Sequence, residues 1–454
     1  MPIKLYNTLS RSLELFSPLK EGAVSMYHCG PTVYDTPHIG NYRTFVMNDL
    51  IRRAFEYNEY TVNQAMNITD VDDKTIRRSR EEGVTLTALT RKYEDLFIEG
   101  LKSLNILVPH HLIRATDHIA DMVALIEKLL EKGFAYKATD GVYMSISKVK
   151  DYGMLAHLKL DAATSDDTAH QRVANDEYDK DNPHDFALWK FTTDQDGDNS
   201  WDASFGAGRP GWHIECSAMA MKALGETIDI HTGGADLIFP HHTNEIAQSE
   251  SATGKPFARY WMHGAFITMA DEKMAKSKGN IAKLETLEDD MISPLAYRYW
   301  LLTAHYRSPV NFTLEAVRGA QNALIKLMTT MSNLRDGGTV SEAYKARFTA
   351  YINEDLGTAQ ALALVWELLK DAAVSDADKR ATILDFDRVF GLKLGSLAPI
   401  EEEKIPLEIQ ALVDAREEAR KAKEWDKADA LRVEIEGRGY TISDTPTGIK
   451  VVSK

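Results

Sequence analysis

At 454 residues, with 44% hydrophobic and 27% charged side chains, the chain is long enough for about three domains and a sizeable core. No apolar stretch approaches the length of a membrane span, so a soluble protein with no membrane partner is expected. A net charge of −15 argues against a surface that binds polyanions over its whole extent and confines any RNA contact to local basic stripes.

Residues Met1-Pro2-Ile3-Lys4 form no charged-then-apolar leader, so a reducing cytoplasm and free thiols are expected. The first strand signal is residues 23–27, and Cys29 ends it. A Gly/Pro-rich turn through Gly30, Pro31, Pro37 and Gly40 follows, after which Met47, Leu50, Ile51 and Ala54 fall at the i, i+3, i+4, i+7 spacing of a buried helix face. A helix N-terminus behind such a turn gathers unpaired N–H groups and a positive dipole end, which suits phosphate. His38 adds a donor there, and Gly40 lets a nucleotide approach the backbone closely; taken alone, His38-Ile39-Gly40-Asn41 fits a turn histidine equally well. Residues 61–66 read as a second strand, and Thr69-Asp70-Val71-Asp72-Asp73-Lys74 as the strand-to-helix corner where open α/β sheets place ligand contacts. The three carboxylates of that corner could instead simply cap the helix.

Residues 161–202 carry 12 Asp/Glu against 3 Lys/Arg, an acidic stretch that repels RNA locally. Cys216 then ends the segment Gly211-Trp212-His213-Ile214-Glu215-Cys216. Residues 228–236 read as a strand closing in a Gly-rich turn at Gly233, open to an adenosine or purely structural. His241 and Glu245, four apart, share one helix face. After the apolar run 265–269, Lys273, Lys276 and Lys278 make either a mobile cationic loop or a solvated basic turn. Together with the phosphate-directed helix end, they suggest a divided ATP site whose lysines close on the phosphates as charge develops.

Two cysteines in an arbitrary chain are more often small buried hydrophobes or one disulfide than metal ligands. Here both lie among other reactive side chains, and two thiolates with an imidazole and a carboxylate suit zinc. Beyond the lysines, Ala316, Ala320, Ala323, Leu324 and Leu327, then Ala361, Leu364, Val365 and Leu368, predict a helical bundle. A Pro/Glu-rich break at 399–406 precedes two more helices, one with Ala428, Leu431 and Ile435 on its core face and Gly437 or Gly439 at its end. Arg416, Arg420, Lys423 and Lys427 recur at helical spacing there, with Trp425 and Tyr440 as stacking surfaces or, alternatively, as a core Trp beside a solvated face.

His38-Ile39-Gly40-Asn41 resembles the HIGH motif, and Lys273-Met274-Ala275-Lys276-Ser277 the KMSKS motif, of class I aminoacyl-tRNA synthetases. Residues 29–34, 67–74, 208–217, 239–242, 304–309 and 444–446 are similar to the cysteinyl-tRNA synthetase family, so the resemblance covers essentially the whole chain. It implies an α/β fold: a Rossmann-like catalytic domain at 1–117 and 225–300, a connective insertion at 118–224, a helical domain contacting the tRNA stem at 301–398 and an anticodon-binding domain at 404–454. The implied activity is ligation of L-cysteine to tRNA(Cys), by way of ATP and cysteinyl-adenylate, in a monomer.

Carried over residue by residue, the resemblance makes Cys29, Cys216, His241 and Glu245 the ligands of one zinc per chain. It places Thr69, Trp212 and His231 around the cysteine and His38, Gly40, Asn41, Gly233, Asp236 and Lys276 at the nucleotide, which binds with Mg2+, with the ammonium group of the cysteine as the alternative partner of Asp236. His38, Asn41, Lys273 and Lys276 become the catalytic groups. Three departures stand out: Ala275 replaces the first serine of KMSKS, Thr232 stands where the family more usually has Gly and so adds bulk near the adenosine, and the Trp that often follows Asp444-Thr445-Pro446 is absent. Two alternatives are a related ligase joining cysteine to an amino sugar, which should lack residues 404–454, and a non-catalytic RNA-binding paralogue.

Overall fold

A computed structural model of the chain describes residues 2–158, 185–269, 272–273, 282–395, 406–445 and 448–453. Contacts divide the chain into two units, Met1–Ser396 and Leu397–Lys454. The first is built on a five-stranded sheet in the order Ala258–Gly264, Ile228–Gly234, Ala23–His28, Thr61–Ile68, His111–Arg114. Every neighbouring pair is parallel. Taken from the His111–Arg114 edge, this is the doubly wound order 3-2-1-4-5. The order reverses between Ala23–His28 and Ile228–Gly234, and ligands of such sheets bind at the carboxyl ends of the strands flanking that point. Helices cover a parallel sheet on both faces, so its strands read as apolar runs; Val24, Met26, Tyr27, Ala65, Met66, Ile68, Ile228 and Ile230 are all buried.

The helix Ile39–Tyr57 follows the first of these strands and starts earlier than its apolar spacing alone marks, because His38 caps it. His38 Nδ1 accepts from the Asn41 N–H at 3.2 Å while Asn41 Oδ1 accepts from the His38 N–H at 3.1 Å, a reciprocal cap that satisfies two end donors. Met47, Leu50, Ile51 and Ala54 are buried as their spacing predicts. So is Asp49, which accepts from Arg53 Nε at 2.7 Å, Arg298 Nη2 at 2.5 Å and the Leu107 N–H at 2.9 Å.

Between His111–Arg114 and Ile228–Gly234 lie the helix Ile119–Glu131, an antiparallel sheet and the helix Trp212–Leu224. That sheet orders Ala135–Lys137, Gly141–Met144, Phe186–Phe191 and Gly208–Pro210. A Cβ on Gly211 would lie 2.0 Å from the Ala187 carbonyl oxygen, so only glycine lets the chain pass from the last strand into the helix that bears Cys216. Most of the acidic stretch, 159–184, lies outside the described residues.

After the parallel sheet come the helices Pro294–Leu302, Leu314–Asn333, Glu342–Asn353, Thr358–Lys370 and Asp376–Phe390. Ala320, Leu324, Leu327, Ala361, Leu364, Val365 and Leu368 are buried, as the helical spacing predicts, with Ala316 and Ala323 partly so. Their core is continuous with that of Ile39–Tyr57, and Phe348 stacks on Phe386 at 4.0 Å.

The second unit pairs the helices Leu407–Lys421 and Trp425–Gly437 with the hairpin Tyr440–Thr445 and Gly448–Ser453. Ile409, Val413, Ile435 and Ile442 form its small core, Ala428 is buried, and Gly439 takes a φ of 87° just past the helix end. Arg416 departs from the expected cationic stripe: it is buried, because its position on Leu407–Lys421 falls on the inner face. Trp425 is 58% exposed and so is not a core residue.

Candidate active site

Cys29 lies at the carboxyl end of Ala23–His28, and its N–H donates to the Thr232 carbonyl at 3.3 Å across the point where the strand order reverses. Gly30 is held so tightly that a Cβ would fall 1.8 Å from the Asn67 carbonyl oxygen. Cys216 arrives on Trp212–Leu224, while His241 and Glu245 come from the turn Ile238–His242 and the first turn of the helix Thr243–Thr253. The four donor atoms lie within 4.8 Å of one another, and all four residues are buried.

The arrangement fits zinc. Two zinc–sulfur bonds of about 2.3 Å at the tetrahedral angle span about 3.8 Å, and Cys29 Sγ and Cys216 Sγ are 3.9 Å apart. Glu245 Oε1 lies 3.1 Å from His241 Nε2 and 3.7 Å from Cys29 Sγ. Burial raises the Cys29 thiol, and so does its neighbour Cys216. Burial alone would raise Cys216 too, but its contacts with Cys29 and with the His241 ring bring it down to about 6. At Glu245 burial is likewise outweighed, here by His231 and His241, and the carboxyl falls to about 2. His241 rises to about 10 against its burial, because Cys216 and Glu245 favour the cation. This is a site short of positive charge, which a divalent ion would supply.

A second layer holds the donors in place, as ligand-orienting groups do around metals. His213 Nδ1 meets His241 Nδ1 at 2.8 Å, leaving Nε2 toward Glu245. Glu245 Oε2 lies 2.8 Å from His231 Nε2. His242 Nε2 lies 3.2 Å from Cys29 Sγ, and its Nδ1 is 2.8 Å from His263 Nε2. Cys29, His231, His242 and Glu245 thus form a second donor set that overlaps the first. Sequence reading missed His213, Glu215, His242 and His263; the first three share short segments with Cys216 and His241, whereas His263, on the strand Ala258–Gly264, carries no such signal.

Thr69 donates to Glu215 Oε2 at 2.8 Å and accepts from Asn67 Nδ2 at 3.1 Å. Trp212 is 42% exposed and packs on His241 with ring centres 4.3 Å apart, whereas His231 is fully buried and stacks on Trp261 at 4.7 Å. Among the described residues Glu215 Oε1 and His231 Nδ1, both buried, find no hydrogen-bond partner. The carboxylates after Thr69 are structural: Asp70 accepts from Thr116, Asp72 caps the helix Asp73–Glu82, and Asp73 pairs with Lys190 and Arg209.

On the nucleotide side, His38, Gly40 and Asn41 lie at the start of Ile39–Tyr57. Gly233 lies near the end of Ile228–Gly234 and Asp236 in the short turn beyond it. A Cβ on Gly233 would fall 2.7 Å from the His242 ring. The Thr232 hydroxyl donates to Asn48 Oδ1 at 2.7 Å and meets His28 Nδ1 at 2.5 Å. Lys273 belongs to the short strand Glu272–Lys273, and Lys276 lies outside the described residues.

A family model for the "tRNA synthetases class I (C) catalytic domain" matches residues 15–322, and one for the "Cysteinyl-tRNA ligase anticodon binding domain" matches residues 402–451. The chain is 44% identical to Cysteine–tRNA ligase 1 of Burkholderia lata, over 99% of this chain and 96% of that protein. It is 42% identical to Cysteine–tRNA ligase of Caldicellulosiruptor saccharolyticus, over 99% of each. The fold alone is shared with Mycobacterium tuberculosis methionyl-tRNA synthetase in complex with methionyl-adenylate: the TM-score is 0.56 and the identity 17%, over 82% of this chain and 90% of that one. The same holds for a ternary LeuRS-tRNA-LeuAMS complex from Agrobacterium radiobacter, with a TM-score of 0.58 and 9% identity over 83% of this chain and 84% of that one.

Proposed function

The chain belongs to the cysteinyl-tRNA synthetase family, and from that premise we propose that Cys29, Cys216, His241 and Glu245 hold one zinc ion beside the bound cysteine. Its function is cysteine–tRNA ligation: cysteine is activated with ATP to cysteinyl-adenylate and passed to the 3′ end of tRNA(Cys). The observation that carries the metal assignment is the meeting of two thiols, 187 residues apart in sequence, at 3.9 Å beside an imidazole and a carboxylate. Zinc bound there supplies a Lewis acid that lowers the pKa of a thiol and takes its anion, a role that a serine hydroxyl at neutral pH does not fill.

Thr69, Trp212 and His231 border the cysteine in this reading. Glu215 Oε1 and His231 Nδ1, buried and without a partner among the described residues, would gain polar partners from a bound amino acid. His38, Gly40 and Asn41 receive the phosphates of ATP with its Mg2+, Gly233 and Asp236 border the adenosine, and Lys273 and Lys276 act on the phosphate chain as charge develops. Residues 1–117 and 225–300 form the catalytic domain, 118–224 the insertion, 301–398 the stem-contacting bundle and 404–454 the anticodon reader of a cytoplasmic monomer. The amino-sugar ligase alternative, which should lack such a C-terminal module, is disfavoured by the match at 402–451.

Charging of purified cysteine tRNA with labelled cysteine tests the activity directly. No charging, with cysteine ligated to an amino sugar instead, would restore that alternative. Ending the chain after residue 402 should leave cysteine-dependent pyrophosphate exchange nearly intact, since His38, the four proposed ligands and the lysine loop remain. Charging at limiting tRNA should drop roughly 10- to 100-fold and lose part of its salt dependence as phosphate contacts disappear. Undiminished charging by the folded, shortened enzyme would remove the anticodon role from 404–454.

A further inference from the structure

Arg43 lies one turn into Ile39–Tyr57 and is 6% exposed. Its guanidinium donates to main-chain carbonyls: Nη1 to Phe266 at 2.5 Å, and Nη2 to Tyr306 at 3.3 Å, to His305 at 3.4 Å and to Ser308. Among the described residues no carboxylate forms an ion pair with it, and burial lowers its pKa to about 10. A buried charge without a counter-ion costs stability, and a neutral side chain of similar volume would be cheaper to keep there. What arginine offers is a rigid planar fork of donors that can reach several carbonyls at once.

The four carbonyls belong to two segments with one destination. Phe266 directly precedes the strand Ile267–Met269, which enters the lysine loop, and His305 to Ser308 precede the strand Val310–Phe312, its parallel partner. The far side of the loop is tied to the same helix end. The Ile39 N–H donates to the Ala282 carbonyl at 2.9 Å, Lys283 Nζ donates to Asp35 Oδ1 at 3.1 Å, and the Tyr297 hydroxyl donates to the Ile39 carbonyl at 2.7 Å. Both feet of the lysine loop therefore stand on the start of the helix that His38 caps, and the entry foot is held there by Arg43.

We propose that Arg43 is a positioning residue for adenylate formation, clamping the entry foot of the lysine loop and the segment 305–308 onto the helix that bears His38, so that the two halves of the nucleotide site keep a fixed separation. The proposal rests on the reading above that those halves act together on ATP. A displacement of about 1 Å between groups that must meet at one transition state costs on the order of 100-fold in rate. In cysteine-dependent pyrophosphate exchange, Arg43→Ala should lower kcat by roughly that factor while the KM for cysteine and the zinc content stay within about threefold of the parent. Arg43→Lys keeps the charge without the fork and should remain slow. Added guanidinium or ethylguanidinium should restore part of kcat to Arg43→Ala.

Unchanged kcat in both variants would overturn the proposal. So would a rise in the KM for cysteine together with loss of zinc, which marks collapse of the neighbouring site. If Arg43→Ala fails to fold, Arg43→Lys decides by its own kcat. Absence of exchange in the parent enzyme would instead sink the functional reading beneath the proposal.

Discussion

Cys216→Ala is expected to leave the protein with little bound zinc and with most of its preference for cysteine over serine gone. Sites built from four protein ligands bind zinc with about 10–16 kcal/mol, roughly 3 kcal/mol per ligand, so one lost thiolate weakens the site by about 10²-fold or more. The effect should exceed that average. Cys216 lies 3.9 Å from Cys29 Sγ, contacts with Cys29 and the His241 ring favour its thiolate against its burial, and its loss removes a negative neighbour of the His241 ring. The remaining Cys29, His241 and Glu245 could still gather an ion weakly, so metal analysis should follow dialysis against a mild chelator. Retention of a full equivalent after that treatment would sink the assignment of Cys216 as a ligand. Pyrophosphate exchange run in parallel with cysteine and with serine should lose the cysteine signal and leave the serine signal near its low starting level.

The second large effect concerns stability. Asp49 is buried within Ile39–Tyr57 and bonds Arg53, Arg298 and the Leu107 N–H, while Arg298 is wholly enclosed on Pro294–Leu302. Asp49→Leu takes the carboxylate from two buried guanidinium groups, leaving Arg53 and Arg298 with main-chain carbonyls as their hydrogen-bond acceptors, and should cost about 3–5 kcal/mol. Arg298→Met should cost clearly less, because Asp49 keeps Arg53 at 2.7 Å and the Leu107 N–H at 2.9 Å. Denaturant midpoints of the two variants, compared at equal slope, give the order. Equal losses would mean that the two charges act only as a pair and that Arg53 is a bystander.

Legibility in the sequence followed the reach of the signal. Residues 23–27, 61–66 and 228–236 announce strands through short apolar runs, and the spacing of Met47, Leu50, Ile51 and Ala54 announces a helix, because repetition along the chain reports a buried face. Asp49 and Arg298 carry no such signal. Their pairing joins positions 249 apart, and a lone carboxylate within an apolar spacing looks the same whether solvated or enclosed. The reactive residue types around the cysteines could be read, but not which histidine faces which donor: His213, His231, His242 and His263 differ by the neighbour each ring nitrogen meets. Arg416 marks the opposite error, since helical spacing of cations suggested a solvated stripe and its first member lies inside.

The position of Ala23–His28 in the middle of the sheet has a consequence during synthesis. One of its edges pairs with Thr61–Ile68, soon available, whereas the other pairs with Ile228–Gly234. At translation rates of about 5–20 residues per second, the second partner leaves the ribosome roughly 10–40 s after the first strand. A pair of Ala23–His28 with Thr61–Ile68 formed in that interval would present a bare parallel edge, open to any other extended chain. Glu245 emerges only just after the missing strand, so closure of the edge and completion of the set Cys29, Cys216, His241 and Glu245 fall within moments of each other.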